Sequence, residues 1–272
     1  FLPWFAPSYA WICKRLPKTS RICLAHNIDF HEKWPGADLL SRRFFSHCDK
    51  IVVLSEACLR DLNKKMPESI ARRGCLGFHP IYDCYKSTAA EVSLPKPEQP
   101  TALFFGLIKA YKGLDVLLPA LKQARKRVPD LKLIIAGEVY GKAEKYQRLI
   151  RQLGLADAVE ARFHYIMDSE IEEIFQRSHV CVLPYKSATQ SGVIATAYSF
   201  RVPVIASRVG GLSEYISEGE TGLLVPPHNV EALAGALINY FEQGRFATMS
   251  ARIEPYIQRF SWQKLAAFML EA

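Results

Sequence analysis

Short apolar runs alternate with helical patterns along the chain, and this alternation constrains the fold more than any other feature. Such runs are typical of strands buried on both faces of a parallel sheet. They lie at 21–26, 50–54, 101–106, 131–137, 180–184 and 202–206. Apolar residues at helical spacing occupy 113–128, 143–153 and 230–241. Strand followed by helix, repeated, predicts a doubly wound α/β fold.

A proline-rich stretch divides this pattern into two parts. Residues 79–100 contain Pro80, Pro95, Pro97 and Pro100 and show little periodicity, which indicates a linker. We therefore expect one domain in 1–95, including the linker, and another in 96–272. Only about two strands precede the boundary, and the chain lacks an initiating Met. At roughly 30 residues per βαβ unit, we expect the first domain to lack about 60 residues or more.

Composition and charge limit the classes of protein. The chain has 272 residues, of which 49% are hydrophobic and 23% charged, as in a soluble two-domain protein. Its net charge is +8, and 1–95 is the more basic part, with 14 Lys and Arg against 9 Asp and Glu. The favoured explanation of its scattered basic pairs is an ordinary solvated surface, and the second is contact with an anionic membrane surface. Nucleic acid is the weakest alternative, and we predict no nucleic-acid partner.

The opening segment and the cysteines indicate the compartment. Residues 1–13 are aromatic and uncharged, but they are shorter than the roughly 20 residues of a membrane span and contain Pro3 and Pro7. No signal-peptide pattern is visible. The seven Cys are odd in number and form no Cys-x-x-Cys pair, which favours reduced thiols. We predict a cytoplasmic protein, peripheral at the inner face of the membrane.

The first candidate site follows the run that ends at Gly106. Lys109 and Lys112 come next, and Gly113 opens a helix whose first amides lack partners within the helix. Two ammonium groups and a helix dipole thus converge on one place, which suits a diphosphate. The alternative is that both lysines are only solvated.

Two further loops follow strands in the same domain. Residues 187–193 contain small and hydroxyl residues before a helix, where backbone amides can bind an anion. The alternative there is ordinary N-capping by Thr189 or Ser191. Gly210 and Gly211 follow the run 202–206 and let the main chain pass close to a ligand, so that Glu214 can reach a sugar hydroxyl or the nucleoside.

Taken in order, these motifs resemble the retaining glycosyltransferases of family 4, which have the GT-B fold of two facing Rossmann-like domains. The likeness runs from the strand at Arg21 through six later motifs. They are Phe-Phe-Gly106 with Tyr-Lys-Gly113, Ala-Gly-Glu138, Ser-Gly-Val193, the strand ending at Ala206, Gly-Gly-Leu-Ser-Glu214 and Thr-Gly-Leu-Leu-Val225. The resemblance implies a GT-B-like protein with an incomplete amino-terminal domain. It also implies that the second domain binds a nucleotide sugar and that the last helix, near 261–270, crosses back to the first.

The resemblance assigns roles to residues by position. Lys112 matches the family's donor-phosphate Lys, and Glu214 matches the Glu after the paired glycines. His26 resembles the family's His near the transferred sugar, with His31-Glu32 as a weaker competitor. His26 is the predicted catalytic residue. The predicted donor-binding residues are Gly106, Lys109, Lys112, Glu138, Ser191, Gly192, Val193, Thr196, Gly211 and Glu214.

The chain also departs from the family pattern. Leu107 stands where the family usually has Arg, and Lys109 replaces that charge but not its bidentate geometry. Ala188 and Thr196 stand where the family commonly has two Glu eight positions apart. The usual carboxylate contacts to sugar and ribose are absent, which we interpret as divergence in donor handling.

The resemblance implies a hexosyltransferase of polysaccharide biosynthesis that acts with retention, by front-face attack. We expect a UDP- or GDP-sugar donor, a glycan or lipid-linked acceptor and no cofactor. Because the chain contains no Asp-x-Asp pair, we predict no metal site and metal-independent transfer. The main alternative is a noncatalytic nucleotide-sugar-binding or partner subunit. A dinucleotide-dependent oxidoreductase is weaker, since no Gly-x-Gly-x-x-Gly follows a strand.

Overall fold

The computed structural model describes residues 5–16, 19–28, 36–82, 84–85 and 98–271. The chain forms two compact units, one of Phe1–Pro80 with Phe260–Ala272 and the other of Ile81–Arg259. The boundary expected near residue 95 lies among residues outside those described and stays a prediction. No helix within the described ranges is both long and apolar enough to cross a membrane.

Helices and strands alternate through both units. The strands are β1 Ile22–Ala25, β2 Lys50–Val53, β3 Gly74–Leu76, β4 Thr101–Phe105, β5 Lys132–Ala136, β6 Val159–Arg162, β7 Val180–Leu183, β8 Val204–Ser207 and β9 Gly222–Val225. The helices are α1 Ala6–Arg15, α2 Ala37–Phe45, α3 Glu56–Lys65, α4 Glu68–Ala71, α5 Leu114–Ala124, α6 Glu144–Leu153, α7 Asp168–Gln176, α8 Gly192–Ser199, α9 Val230–Glu242, α10 Arg245–Ile257 and α11 Trp262–Glu271.

The first unit contains a parallel sheet in the order β1-β2-β3. The sequence predicted about two strands in this part, and the described residues add a third, β3. This strand has three residues and none of them is buried, so it lacks the apolar run that marks a central strand. The buried core beneath the sheet includes Phe45, Ile51 and Leu62.

The last helix, α11, belongs to the first unit. Leu265 is its buried residue. The buried Lys50 ammonium donates hydrogen bonds to the carbonyls of Phe268, at 2.9 Å, and Met269, at 3.3 Å. A cation at the carboxyl end of a helix meets carbonyl groups that have no partner within the helix, and it interacts favourably with the helix dipole.

The second unit contains a six-stranded parallel sheet in the order β6-β5-β4-β7-β8-β9. Strands β7 and β8 are fully buried, as continuous apolar runs predict. Helices α5 and α9 pack over one face around Leu117, Leu121 and Leu237. This sheet confirms the α/β class predicted from the sequence.

The strand order of the second unit locates its ligand crevice. Strand β4 pairs with β5 on one side and with β7 on the other, all parallel. The chain therefore winds outward from β4 in two directions. In open α/β sheets, ligands bind at such a switch point, outside the carboxyl ends of the strands.

Candidate functional site at the carboxyl edge of the second sheet

Lys112 is a buried lysine at the switch point. It ends the short 3-10 helix Ala110–Lys112, and only 8% of its surface is exposed. The pKa of Lys112 is lowered to about 8, chiefly by burial, with a raising effect of Cys181 and a smaller lowering effect of the nearby Lys109 ammonium. Burial disfavours the charged form of a lysine, and a bound anion would stabilise that form.

The position of the Lys112 ammonium is defined by the loops around it. A Cβ placed on Gly106 would lie 3.2 Å from Lys112 Nζ and 3.5 Å from Val193 Cγ2. The ammonium also lies 5.5 Å from the ring centroid of the buried Tyr185. The end of β4 and the start of α8 therefore meet at Lys112.

Gly113 explains why the chain turns immediately after Lys112. Its φ is +73°, and a Cβ there would lie 1.9 Å from the carbonyl oxygen of Pro184. No side chain fits at that distance, so glycine allows the segment after β4 to pack directly against the end of β7. This packing buries the lysine that precedes Gly113.

The loops after β4 and β5 are joined through their backbones. Gly106 donates to the Ala136 carbonyl at 2.9 Å, and Ile108 donates to the Glu138 carbonyl at 2.7 Å. The Glu138 side chain is exposed at the carboxyl edge. Lys109 is half-buried, with its Nζ 4.7 Å from the ring centroid of Tyr140. Glu138 and Lys109 therefore lie on adjacent loops of the same edge.

Helix α8 begins at the predicted diphosphate loop. Ser191 is its N-cap: the Ser191 hydroxyl accepts from the Val193 amide at 3.3 Å, and the Ser191 carbonyl accepts from the Ile194 amide at 3.2 Å. The capping alternative considered for Ser191 is thus observed. The Thr196 hydroxyl donates to the Gly192 carbonyl at 3.1 Å, and Thr196 is buried. A ligand anion would accept from the Gly192 amide, or it would replace the Ser191 hydroxyl as the acceptor for the Val193 amide.

The paired glycines lie on the loop after β8. Gly210 has φ +48°, and a Cβ there would lie 1.6 Å from the carbonyl oxygen of Ala188, so its close approach is to protein backbone. Gly211 donates to the Thr189 carbonyl at 3.0 Å. The glycines thus fix this loop against the one before α8. Glu214 is exposed in the 3-10 helix Gly210–Tyr215, on the same carboxyl edge.

His26, the predicted catalytic residue, lies in the first unit directly after β1. Its ring is 5.9 Å from the ring of the buried His79, edge to face. His79 Nδ1 donates to the Pro80 carbonyl at 2.9 Å, which fixes the tautomer of His79. Partial withdrawal from water and the neighbouring His79 lower the pKa of His26. The competing pair His31-Glu32 lies outside the described residues.

The sequence did not single out three residues that shape the site of the second unit: Tyr185, Asp115 and Lys186. Tyr185 donates or accepts a hydrogen bond with the Ser191 hydroxyl at 3.3 Å, and burial raises the pKa of its phenol. Only its position directly after β7 could have indicated it.

No group of three or more His, Cys, Asp and Glu in the described part of the chain could hold a metal ion.

The fold and this edge define a doubly wound α/β protein whose topological switch point carries the buried Lys112. The family described as Glycosyl transferases group 1 matches residues 99–243. The chain belongs to this family.

Two relatives show the extent of the match. The D-inositol 3-phosphate glycosyltransferase of Paenarthrobacter aurescens (strain TC1) is 34% identical over 181 residues, covering 65% of this chain and 44% of that protein. That of Streptomyces griseus subsp. griseus is 35% identical over 181 residues, covering 61% and 37%. The matched region spans less than half of either relative.

Solved structures resemble the chain over nearly its full length. Anabaena Alr3699/HepE in complex with UDP-glucose has a TM-score of 0.80 at 18% identity, covering 99% of this chain and 76% of that one. Sucrose-phosphate synthase from Thermosynechococcus elongatus has a TM-score of 0.78 at 20% identity, covering 99% and 70%. This likeness confirms the predicted GT-B-like fold class.

Proposed function

We propose that the chain is part of a glycosyltransferase that moves a sugar from UDP- or GDP-sugar to an acceptor hydroxyl, with retention and without a metal ion. The observation that carries the proposal is the buried Lys112, held beside Gly106 and the start of α8 at the switch point. The UDP-glucose complex of Anabaena Alr3699/HepE supports the choice of donor, and the glycosyltransferase relatives support the class of reaction.

The donor diphosphate would lie against Lys112. Its negative charge would offset the cost of burying the charged ammonium, so binding would raise the pKa of Lys112 from about 8. Lys109 would add a second positive charge, and the amides of Gly192 and Val193 would face the phosphate oxygens. As the bond to the sugar breaks, the same groups would stabilise the growing charge on the leaving diphosphate.

The chemistry on the sugar side rests on fewer observed contacts. Glu138 and Glu214 are the exposed carboxylates proposed to reach sugar or ribose hydroxyls. Thr196 bonds within its own helix, and its part in donor binding stays a proposal. His26 is proposed to act near the transferred sugar, and the acceptor is proposed to be a glycan or a lipid-linked glycan. The proposed location is cytoplasmic.

Calorimetric titration with UDP and GDP tests the proposal. Changing Lys112 to Ala should weaken binding by about 1.5 to 3 kcal/mol, the range for a hydrogen bond to a charged group. Lys122, an exposed lysine on α5, provides the matched control, and Lys122→Ala should bind as the unchanged chain does. Equal affinities for the unchanged chain and Lys112→Ala would show that the phosphate site lies elsewhere.

A noncatalytic nucleotide-sugar-binding subunit is the second candidate. It is favoured by one observation: Ala188 and Thr196 provide no carboxylate beside α8, and Thr196 is buried. Donor hydrolysis separates the two candidates. An enzyme should release sugar from UDP-glucose or GDP-mannose slowly in water, and the first anomer seen by proton NMR should be α for a retaining reaction. Binding without hydrolysis or transfer would favour the subunit.

A further inference from the structure

Two segments leave adjacent strands at the switch point and run side by side. One comprises residues 111–115, after β4, and contains Lys112. The other comprises residues 184–186, after β7, and leads into the loop that ends at Ser191, the N-cap of α8. The distance between Lys112 and the start of α8 therefore depends on how these two segments are held together.

Several contacts join the two segments. The Lys186 backbone amide donates to the Tyr111 carbonyl at 2.7 Å, and the rings of Tyr111 and Tyr185 meet edge to face at 6.1 Å. Gly113 packs on the Pro184 carbonyl so closely that no side chain fits. The Lys186 ammonium then forms an ion pair with Asp115 Oδ2 at 2.6 Å.

The ion pair is partly shielded from water. Side-chain exposure is 26% for Lys186 and 34% for Asp115. Asp115 Oδ1 is buried and has no hydrogen-bond partner in the described part of the chain. The charge of Asp115 is therefore balanced chiefly through Oδ2 by Lys186, and loss of either side chain would leave the other charge poorly compensated.

We propose that Asp115 and Lys186 are positioning residues that clamp the Lys112 segment to the segment leading into α8. This inference rests on the proposed function, because its consequence is the fit of a nucleotide diphosphate between them. Neither residue touches the diphosphate. They hold in place Lys112 and the start of α8, which contact the diphosphate. Binding sites lose affinity when such support is loosened by about 1 Å.

A competing role for Lys186 makes the opposite prediction. If Lys186 itself bound the diphosphate, removing the charge of Asp115 would release it for that task, and Asp115→Asn would raise the affinity for UDP. A positioning pair predicts that Asp115→Asn and Lys186→Met both lower it. The sign of the Asp115→Asn effect therefore separates the two roles.

The test is a double-mutant cycle with two ligands. UDP and uridine are titrated into the unchanged chain, Asp115→Asn, Lys186→Met and the double variant. We expect each single variant to lose about tenfold in UDP affinity, about 1.4 kcal/mol, and the double variant to lose little more. Uridine affinity should stay constant, because uridine has no phosphate. Lys186→Arg keeps the charge and should retain UDP affinity.

The ion pair of Arg125 and Asp157 is the matched control. It has a similar length, 2.9 Å, and lies before β6, away from the carboxyl edge. Arg125→Met should leave UDP affinity unchanged, although it also breaks an ion pair. The pH at which UDP affinity begins to fall should rise in Asp115→Asn, since a loosened Lys112 regains water and an ordinary pKa. A general loss of stability would not move that midpoint.

Each remaining outcome contradicts the clamp. Unchanged UDP affinity in both single variants, a gain in Asp115→Asn, or additive losses would overturn it while leaving the proposed function intact. Equal losses for UDP and uridine would show a general structural effect and would also overturn it. If the unchanged chain binds neither UDP nor GDP, the proposed function falls, and the clamp falls with it.

Discussion

Lys112 should make the unliganded protein less stable than it would be with an apolar residue. Its pKa falls from the ordinary 10.5 to about 8 on folding, chiefly because the ammonium is buried. A difference of about 2.5 in pKa corresponds to about 3 kcal/mol against the folded state, at 1.36 kcal/mol for each unit. We therefore predict that Lys112→Met, which keeps most of the side-chain volume, stabilises the chain by up to about 3 kcal/mol at pH 7.

The pH dependence of this effect follows from the direction of the pKa change. Below pH 8 the lysine is charged in both the folded and unfolded states, and the full destabilisation is present. Between pH 8 and 10.5 the unfolded state binds more protons, so stability rises with pH. The advantage of Lys112→Met should thus be largest near pH 7 and should disappear toward pH 10.5.

Scanning calorimetry measures both parts of the prediction. For a unit of this size, about 3 kcal/mol corresponds to a rise of about 6 to 12 °C in melting temperature. Addition of UDP at a hundredfold excess over its Kd should stabilise the unchanged chain by about 2.7 kcal/mol, and it should stabilise Lys112→Met much less. Lys122→Met, on the exposed face of α5, should change neither quantity. A destabilised Lys112→Met, or a gain that does not shrink above pH 8, would refute the reasoning.

Three other properties can be measured directly. UDP affinity should be constant from pH 7 to 8 and should fall by up to tenfold for each pH unit above 8, because free Lys112 loses its proton there; a flat profile to pH 9.5 would exclude Lys112 as the phosphate ligand. Donor hydrolysis should survive EDTA, whereas loss of activity that magnesium or manganese restores would contradict metal-independent transfer. Helix α1 exposes Trp11 and ends in Lys14 and Arg15, so cosedimentation should be greater with anionic than with neutral vesicles and should fade with salt. Equal or absent binding to both kinds of vesicle at low salt would leave packing of Trp11 against protein as the better explanation.

Most strands that the sequence predicted are buried on both faces, and β1, an edge strand whose burial alternates, is the exception. Strands β2, β7 and β8 are continuous apolar runs, and each was predicted within a residue or two at its ends, as were β1, β4 and β5. The unpredicted strands β3, β6 and β9 are all sheet edges. Strand β6 reads Val-Glu-Ala-Arg and has no buried residue, because an edge strand packs on fewer neighbours.

The candidate site divides in a similar way. Gly106, Lys109 and Lys112 were predicted because charge, glycine and a helix start lie within a few residues of one another. Asp115 and Lys186 were not, since they are 71 residues apart and become neighbours only when β4 pairs with β7. The sequence predicted that Gly210 lets the main chain pass close to a ligand, whereas the close approach in the structure is to the carbonyl of Ala188, which is a neighbour only in the folded chain.

Hydrogen exchange with and without saturating UDP tests the central claim most directly. The claim is that a nucleotide diphosphate binds at the carboxyl edge of the second sheet, between the end of β4 and the start of α8. UDP should slow exchange in peptides that cover 106–113 and 191–194, and it should leave α10 unchanged. Protection confined to other segments, with 106–113 unaffected at saturating UDP, would contradict the account.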